Sequence, residues 1–153
     1  MDLIVWRHAE AVELELVGCD LERYLTHKGD KQAARMAAWL DRQLPEGTRV
    51  WASPAVRAQQ TVKALGRKFK TSQALAPLGT VDELLALTQW PQGKGCTLLV
   101  GHQPTLGQAV ARLLGMSSGE CAIRKGAVWW LRFREREEGG QAVLLSVQSP
   151  DLL

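Results

Sequence analysis

Three places far apart in the chain set arginine or histidine at the end of an apolar run. Arg7 and His8 follow Leu3 to Trp6, Arg57 lies about one helical turn beyond Arg49 to Ala52, and His102 follows Thr97 to Val100. Brought together, two guanidinium and two imidazole groups make a site for a dianion. A guanidinium presents a planar fork that fits phosphoryl oxygens. A neutral imidazole is a competent nucleophile towards phosphorus. A second imidazole, protonated, can donate to the equatorial oxygens during transfer. The pattern reads as phosphoryl chemistry, with His8 or His102 attacking and the other helping Arg7 and Arg57 hold the group.

Other phosphoryl designs fail on the residues. A thiol phosphatase sets Arg six residues after its Cys, and Cys19, Cys96 and Cys121 have Leu25, His102 and Ala127 there. No G-x-x-x-x-G-K-[ST] loop occurs, so a P-loop nucleotide site is excluded. The three histidines stand apart among few acids, which argues against a metal centre.

The elements that must position these groups follow one grammar. Leu3 to Trp6 reads as a short buried strand, followed by a polar loop through Gly18 and Asp20. Thr26 introduces a helix running to about Leu44, with Ala33, Ala37, Leu40 and Leu44 at helical spacing. Arg49 to Ala52 reads as a strand, Ser53 as a helix N-cap and Pro54 as the first helical position. The apolar face of that helix continues to Phe69. A short extended piece is expected near Leu75, and a helix from Val81 to Trp90. Thr97 to Val100 is a third buried strand, and Pro104 opens a helix that Gly115 stops. Val128 to Phe133 and Ala142 to Val147 form a hairpin around a charged loop with Gly139-Gly140. Trp129 and Trp130 point to opposite faces of their strand, so one is expected to be exposed or at an interface.

Strand and helix alternating, then a hairpin, give a three-layer α/β/α sandwich. Its sheet is mostly parallel, with helices on both faces and an antiparallel edge strand. Ligands of such sheets bind beyond the carboxyl ends of the strands. Arg7, His8, Arg57 and His102 would meet there, beside two helix N-termini carrying partial positive charge.

With 153 residues, 46% hydrophobic and 23% charged, a single soluble domain over residues 1–153 is expected. The net charge of +3 is spread along the chain and gives no sign of nucleic acid as a partner. Three scattered cysteines fit a reducing compartment. Neither a secretion signal nor a membrane span is seen, so the expected location is the cytoplasm.

Four strings in order carry a family resemblance. V-W-R-H-A-E-A resembles the R-H-G signature of the histidine phosphatase superfamily, whose fold is phosphoglycerate mutase-like. S-P-A-V-R-A-Q-Q-T is similar to its S-x-x-x-R-x-x-x-T motif, and V-G-H-Q-P to its second histidine motif. R-Y-L-T-H-K-G, at Arg23 to Gly29, resembles a stretch of the small SixA-type phosphohistidine phosphatases, and so does the closing Q-S-P-D-L-L. The resemblance implies that His8 is phosphorylated during turnover. Arg7, Arg57 and His102 would form the phosphate pocket, with Arg23 at its rim or behind it, and no metal or other cofactor is needed. Ala9 stands where the signature has Gly and is tolerated only if the backbone keeps ordinary negative φ there.

Members that cleave alkyl phosphates use a carboxyl to protonate the leaving alcohol. No signature for one is found, and Glu83, Asp82 and Glu10 are only nearby carboxyls. A P–N bond needs less help, because imidazole departs neutral once its ring is protonated. Few residues separate the Arg57 helix from the strand at Leu98, which leaves little chain for a cap. The resulting expectation is a phosphatase acting on phosphohistidine of a partner protein, such as a histidine-containing phosphotransfer domain, with the enzyme a monomer. The alternatives are a sugar-phosphate type phosphomonoesterase and a non-catalytic module that binds phosphorylated proteins.

Overall fold

The computed structural model describes residues 1–153. Six strands form one sheet: β1 (Asp2–Arg7), β2 (Arg49–Ala52), β3 (Lys70–Thr71), β4 (Cys96–Gly101), β5 (Val128–Arg136) and β6 (Gly139–Gln148). Their order is β3-β2-β4-β1-β5-β6. The first four are parallel, while β5 runs antiparallel to both β1 and β6.

Five helices accompany them: α1 (Leu14–Val17), α2 (His27–Gln43), α3 (Val56–Lys63), α4 (Val81–Thr88) and α5 (Thr105–Leu114). Side chains alternate across a strand, so β1 sends Ile4 and Trp6 to one face and Leu3 and Val5 to the other. Ile4 and Trp6 meet Met36, Ala37 and Leu40 of α2 and Ala58 and Val62 of α3. Leu3 and Val5 meet Leu84 of α4 and Leu106, Ala109 and Val110 of α5. Each layer thus covers one face of a sheet that is apolar on both, the three-layer architecture expected. No helix is long and apolar enough to cross a membrane.

Local chemistry moves several boundaries. Gly18, at φ +73°, closes α1, a single turn inside what reads as a polar loop. Helix α3 stops at Lys63 because Gly66, at φ +71°, turns the chain; Phe69 still packs against the core from beyond that turn. The short extended piece expected near Leu75 forms slightly upstream, as β3, and the chain then makes a 3₁₀ turn over Gln73–Leu75 capped by the Ser72 side chain. Helix α4 ends at Thr88, two residues short of Trp90, because Gln89 takes a left-handed conformation. The hairpin strands run further into the charged segment than expected and leave only Glu137 and Glu138 between them. Charged residues are accepted there because an antiparallel strand can turn one face to water. Neither tryptophan of the pair is free: Trp130 is buried and donates Nε1–H to Asp2 at 3.0 Å, and Trp129 packs on the opposite layer.

Candidate functional site

Register brings the three strand ends level. Arg7 pairs with Gly101 and Ala52 with Val100. The next amides continue the ladder: His8 N–H donates to Gly101 O at 3.1 Å, and Ser53 N–H to Val100 O at 3.0 Å. Strand β4 lies between the other two, so His102 emerges between His8 and Ser53. The His8 and His102 rings lie 5.1 Å apart, centroid to centroid.

Just beyond the end of β1, Ala9 N–H donates to Thr61 Oγ1 of α3 at 3.1 Å. Thr61 Oγ1 in turn donates to Arg57 O at 2.7 Å, tying the His8 segment to the helix that carries Arg57. Ala9 does not adopt positive φ. Its methyl is fully buried against Leu25 and Ala33, so alanine suits this position. The segment that follows lies on α2. Thr26 N–H donates to Glu10 O at 3.0 Å, and Glu10 N–H donates to Gln32 Oε1 at 2.9 Å. A Cβ at Gly29 would overlap the Glu10 carbonyl oxygen, so only glycine permits this approach.

Each of four side chains is tethered through one end and keeps a nitrogen free. Arg7 Nη1 donates to Ile123 O at 2.8 Å, while its Nε is buried without a partner. Arg57 Nη1 donates to Asp20 O at 2.7 Å and Nη2 to Asp20 Oδ2 at 3.1 Å, while its Nε is also buried and unpartnered. His8 Nδ1 lies 2.8 Å from Ala9 O. A carbonyl only accepts, so the proton is assigned to Nδ1 and the ring lone pair to Nε2. His102 Nε2 lies 2.7 Å from Ser53 Oγ, which also accepts from Ala55 N–H at 3.1 Å. Assigning the hydroxyl hydrogen to Nε2 places the His102 proton on Nδ1, which is buried without a partner. Buried polar groups are nearly always paired. Of the four buried side-chain polar atoms left unpaired, three belong to Arg7, Arg57 and His102. Such a cluster of free donors is built for an anion.

The electrostatics fit a neutral nucleophile. Burial, then the charges of His102, Arg57 and Arg7, push His8 down from 6.5 to about 3 despite its bond to Ala9. Burial and the charges of Arg57 and Arg7 push His102 down to about 3 as well. Both imidazoles are therefore uncharged at neutral pH in the free pocket, where the sequence reading has one of them protonated. The thiol of Cys96 is pushed up to about 11 by burial and is no nucleophile.

The sequence reading missed two residues. Ser53 is not the N-cap of α3, which begins at Val56; its hydroxyl serves Ala55 and His102 instead. Asp20 had no role assigned, yet it grips Arg57 and also accepts from Arg23 Nη1 at 3.2 Å. Its spacing of three from Arg23 is visible in the sequence, but its contact with Arg57, 37 residues away, is not. Burial alone would raise the Asp20 pKa; hydrogen bonds and charges of Arg57 and Arg23 outweigh it and hold the carboxyl below its usual range. Arg23, whose Nε donates to Val12 O at 2.7 Å, therefore stands one carboxylate away from Arg57.

The three nearby carboxyls are engaged elsewhere. Asp82 pairs with Arg112 at 2.6 Å, and Glu83 closes a capping box with Thr80. Glu10 accepts from Thr26 Oγ1 at 3.0 Å.

The chain is similar to proteins of one family, and its fold to solved structures. Residues 3–85 match the model of the histidine phosphatase superfamily (branch 1). The phosphohistidine phosphatase SixA of Escherichia coli is 32% identical over 121 residues, 74% of each chain. A SixA homologue of Haemophilus influenzae is 31% identical over 132 residues, covering 75% of this chain and 78% of the other. Among solved structures, the protein histidine phosphatase SixA complexed with tungstate superposes with a TM-score of 0.78 at 28% identity, covering 99% of both chains. A phosphoserine phosphatase of Entamoeba histolytica shares the fold, with a TM-score of 0.73 at 18% identity over 99% of this chain and 98% of that one.

Proposed function

The chain belongs to the histidine phosphatase superfamily, and we propose that it hydrolyses phosphohistidine on a partner protein through a phosphoryl group carried on His8. One observation carries this reading: Arg7, His8, Arg57 and His102 are each anchored at one end, leaving a nucleophilic nitrogen among unpaired donors.

The steps follow from the tethers. Nε2 of His8 attacks phosphorus, and the P–N bond to the substrate imidazole breaks. That imidazole, already protonated on its other nitrogen, departs neutral. Arg7, Arg57 and His102 Nδ1–H donate to the phosphoryl oxygens as their charge shifts; such preformed donors act without reorganising. Water then attacks phospho-His8. The P–Nε2 bond breaks, the water's proton leaves with the inorganic phosphate, and His8 departs neutral because Nδ1 keeps its proton on Ala9 O.

The substrate class follows from proton supply. General acids contribute about 10²- to 10⁴-fold where a leaving group needs a proton. The only carboxylate bonded to any of the four groups is Asp20, and two arginines hold it ionised. An alkoxide would leave unassisted, whereas an imidazole needs no such acid. The surroundings of the pocket fit a protein. Leu14, Leu16, Leu21 and Tyr24 are exposed on the segment that brings Asp20 to Arg57. A cavity of about 440 Å³ opens beside Glu10, Val12 and Leu16, next to the His8 segment. A histidine-containing phosphotransfer domain is the proposed kind of partner, met in the cytoplasm by a monomeric single domain.

The test is incubation with a labelled phosphohistidine protein and a phosphoserine protein. Release of label from the first alone, lost in His8→Ala, is the expected result. Equal release from both would support a general phosphomonoesterase, and release from neither a module that only binds.

A further inference from the structure

Asp20 holds Arg57 twice, once through its main chain and once through its side chain. A guanidinium has five N–H hydrogens in a fixed plane. Asp20 O takes one from Nη1 at 2.7 Å, and Asp20 Oδ2 takes one from Nη2 at 3.1 Å. Those bonds occupy the end of the fork furthest from the side-chain stem. The adjoining edge, Nε–H with the second hydrogen of Nη2, is left over, and its Nε is the buried atom without a partner. That edge alone can meet two phosphoryl oxygens with parallel hydrogen bonds.

We propose that Asp20 is a positioning residue, which grips one end of the Arg57 fork so that the Nε edge faces the phosphoryl group. The inference rests on the phosphatase reading above. Arg23 completes the support: its Nη1 donates to Asp20 Oδ1 at 3.2 Å while its Nε is fixed on Val12 O. The carboxylate is thus held from two sides, and a shared carboxylate turns two flexible cations into one frame. Asp20 itself lies outside the core, its side chain 44% exposed, so its replacement leaves the packed layers intact.

An opposing effect must be separated. A carboxylate so close to the pocket also repels an incoming dianion, and removing it relieves that repulsion. D20A and D20N remove the charge equally, but only D20N keeps an oxygen that can accept from Arg57. The two variants are compared for hydrolysis of a phosphohistidine protein and, by titration calorimetry, for binding of inorganic phosphate. Thermal melts report the fold of each.

D20A is expected to lose about 10- to 100-fold in kcat/KM, the penalty of a misplaced group. Most of it should fall on kcat, because an aimed donor counts most where charge shifts in the transition state. D20N should recover most of that loss, and D20A should bind phosphate more weakly than D20N. Equal behaviour of the two variants, or tighter phosphate binding by D20A than by D20N, would overturn the proposal. A wild-type protein that cleaves no phosphohistidine protein would instead sink the phosphatase reading, and the phosphate comparison would still decide the role of Asp20.

Discussion

Acidifying the solution from pH 7.5 to 5.5 should weaken folding through two imidazoles. His8 and His102 are both pushed from 6.5 to about 3 in the folded chain. In the unfolded chain both groups take up protons near their ordinary pKa, so the unfolded state binds more protons everywhere between 6.5 and about 3. Stability is therefore greatest above pH 6.5 and is lost as the pH falls towards the folded value. One unit below 6.5, each imidazole costs about 1.4 kcal/mol, or roughly 3 kcal/mol for the pair. Against a typical total of about 5–15 kcal/mol, that is readily measured. The carboxylates do not blur this window. Asp2 and Asp20 sit below 3.8, so their unfolded forms take up protons only in more acid solution. The assay is urea unfolding followed by tryptophan fluorescence at both pH values, on the wild type and on His8→Asn. The wild type should lose roughly 3 kcal/mol, and the variant, with one imidazole left to titrate, about half as much. A wild-type loss under about 1 kcal/mol would refute the claim that burial and the arginines keep both rings neutral. So would a variant that loses as much as the wild type.

Ser53→Ala removes the hydroxyl that fixes the His102 ring at 2.7 Å; kcat should fall about 10- to 100-fold, and stability by about 1–2 kcal/mol, measured by urea unfolding. Gly29→Ala drives a methyl into the Glu10 carbonyl; a loss of about 1–3 kcal/mol by the same method is expected from such overpacking. Leu16→Asp, on a side chain 65% exposed beside the pocket, should lower kcat/KM for a phosphohistidine protein while leaving hydrolysis of a small aryl phosphate unchanged. Equal losses on both substrates would show that the segment does not receive the partner.

Much of the molecule is legible from its residues. Continuous apolar runs at Leu3 to Trp6 and Thr97 to Val100, buried on both faces, and apolar residues at helical period after Thr26 and Pro104 mark the elements whose layers form the fold. These signals are local: they depend on which side chains neighbour each other along a strand or a turn of helix. The four cationic-capable groups are legible for the same reason, since Arg7, His8 and His102 stand where a strand ends and Arg57 where a helix begins. One boundary, the end of α4, moved because Gln89 takes a positive φ that is not written in its type.

Contacts between remote segments are decided only by folding. His8 has its tautomer set locally, by the carbonyl of the adjacent Ala9, but which nitrogen of His102 is free depends on Ser53, 49 residues away, and that distance exists only once β2 and β4 lie side by side. Asp20 is one acid among sixteen in the sequence; its hold on Arg57 appears only when α3 meets the loop before α2. Residue type supplies the chemistry a group can perform. Its protonation and the direction of its free bond are set by burial and by partners, several of which the chain brings in from far away.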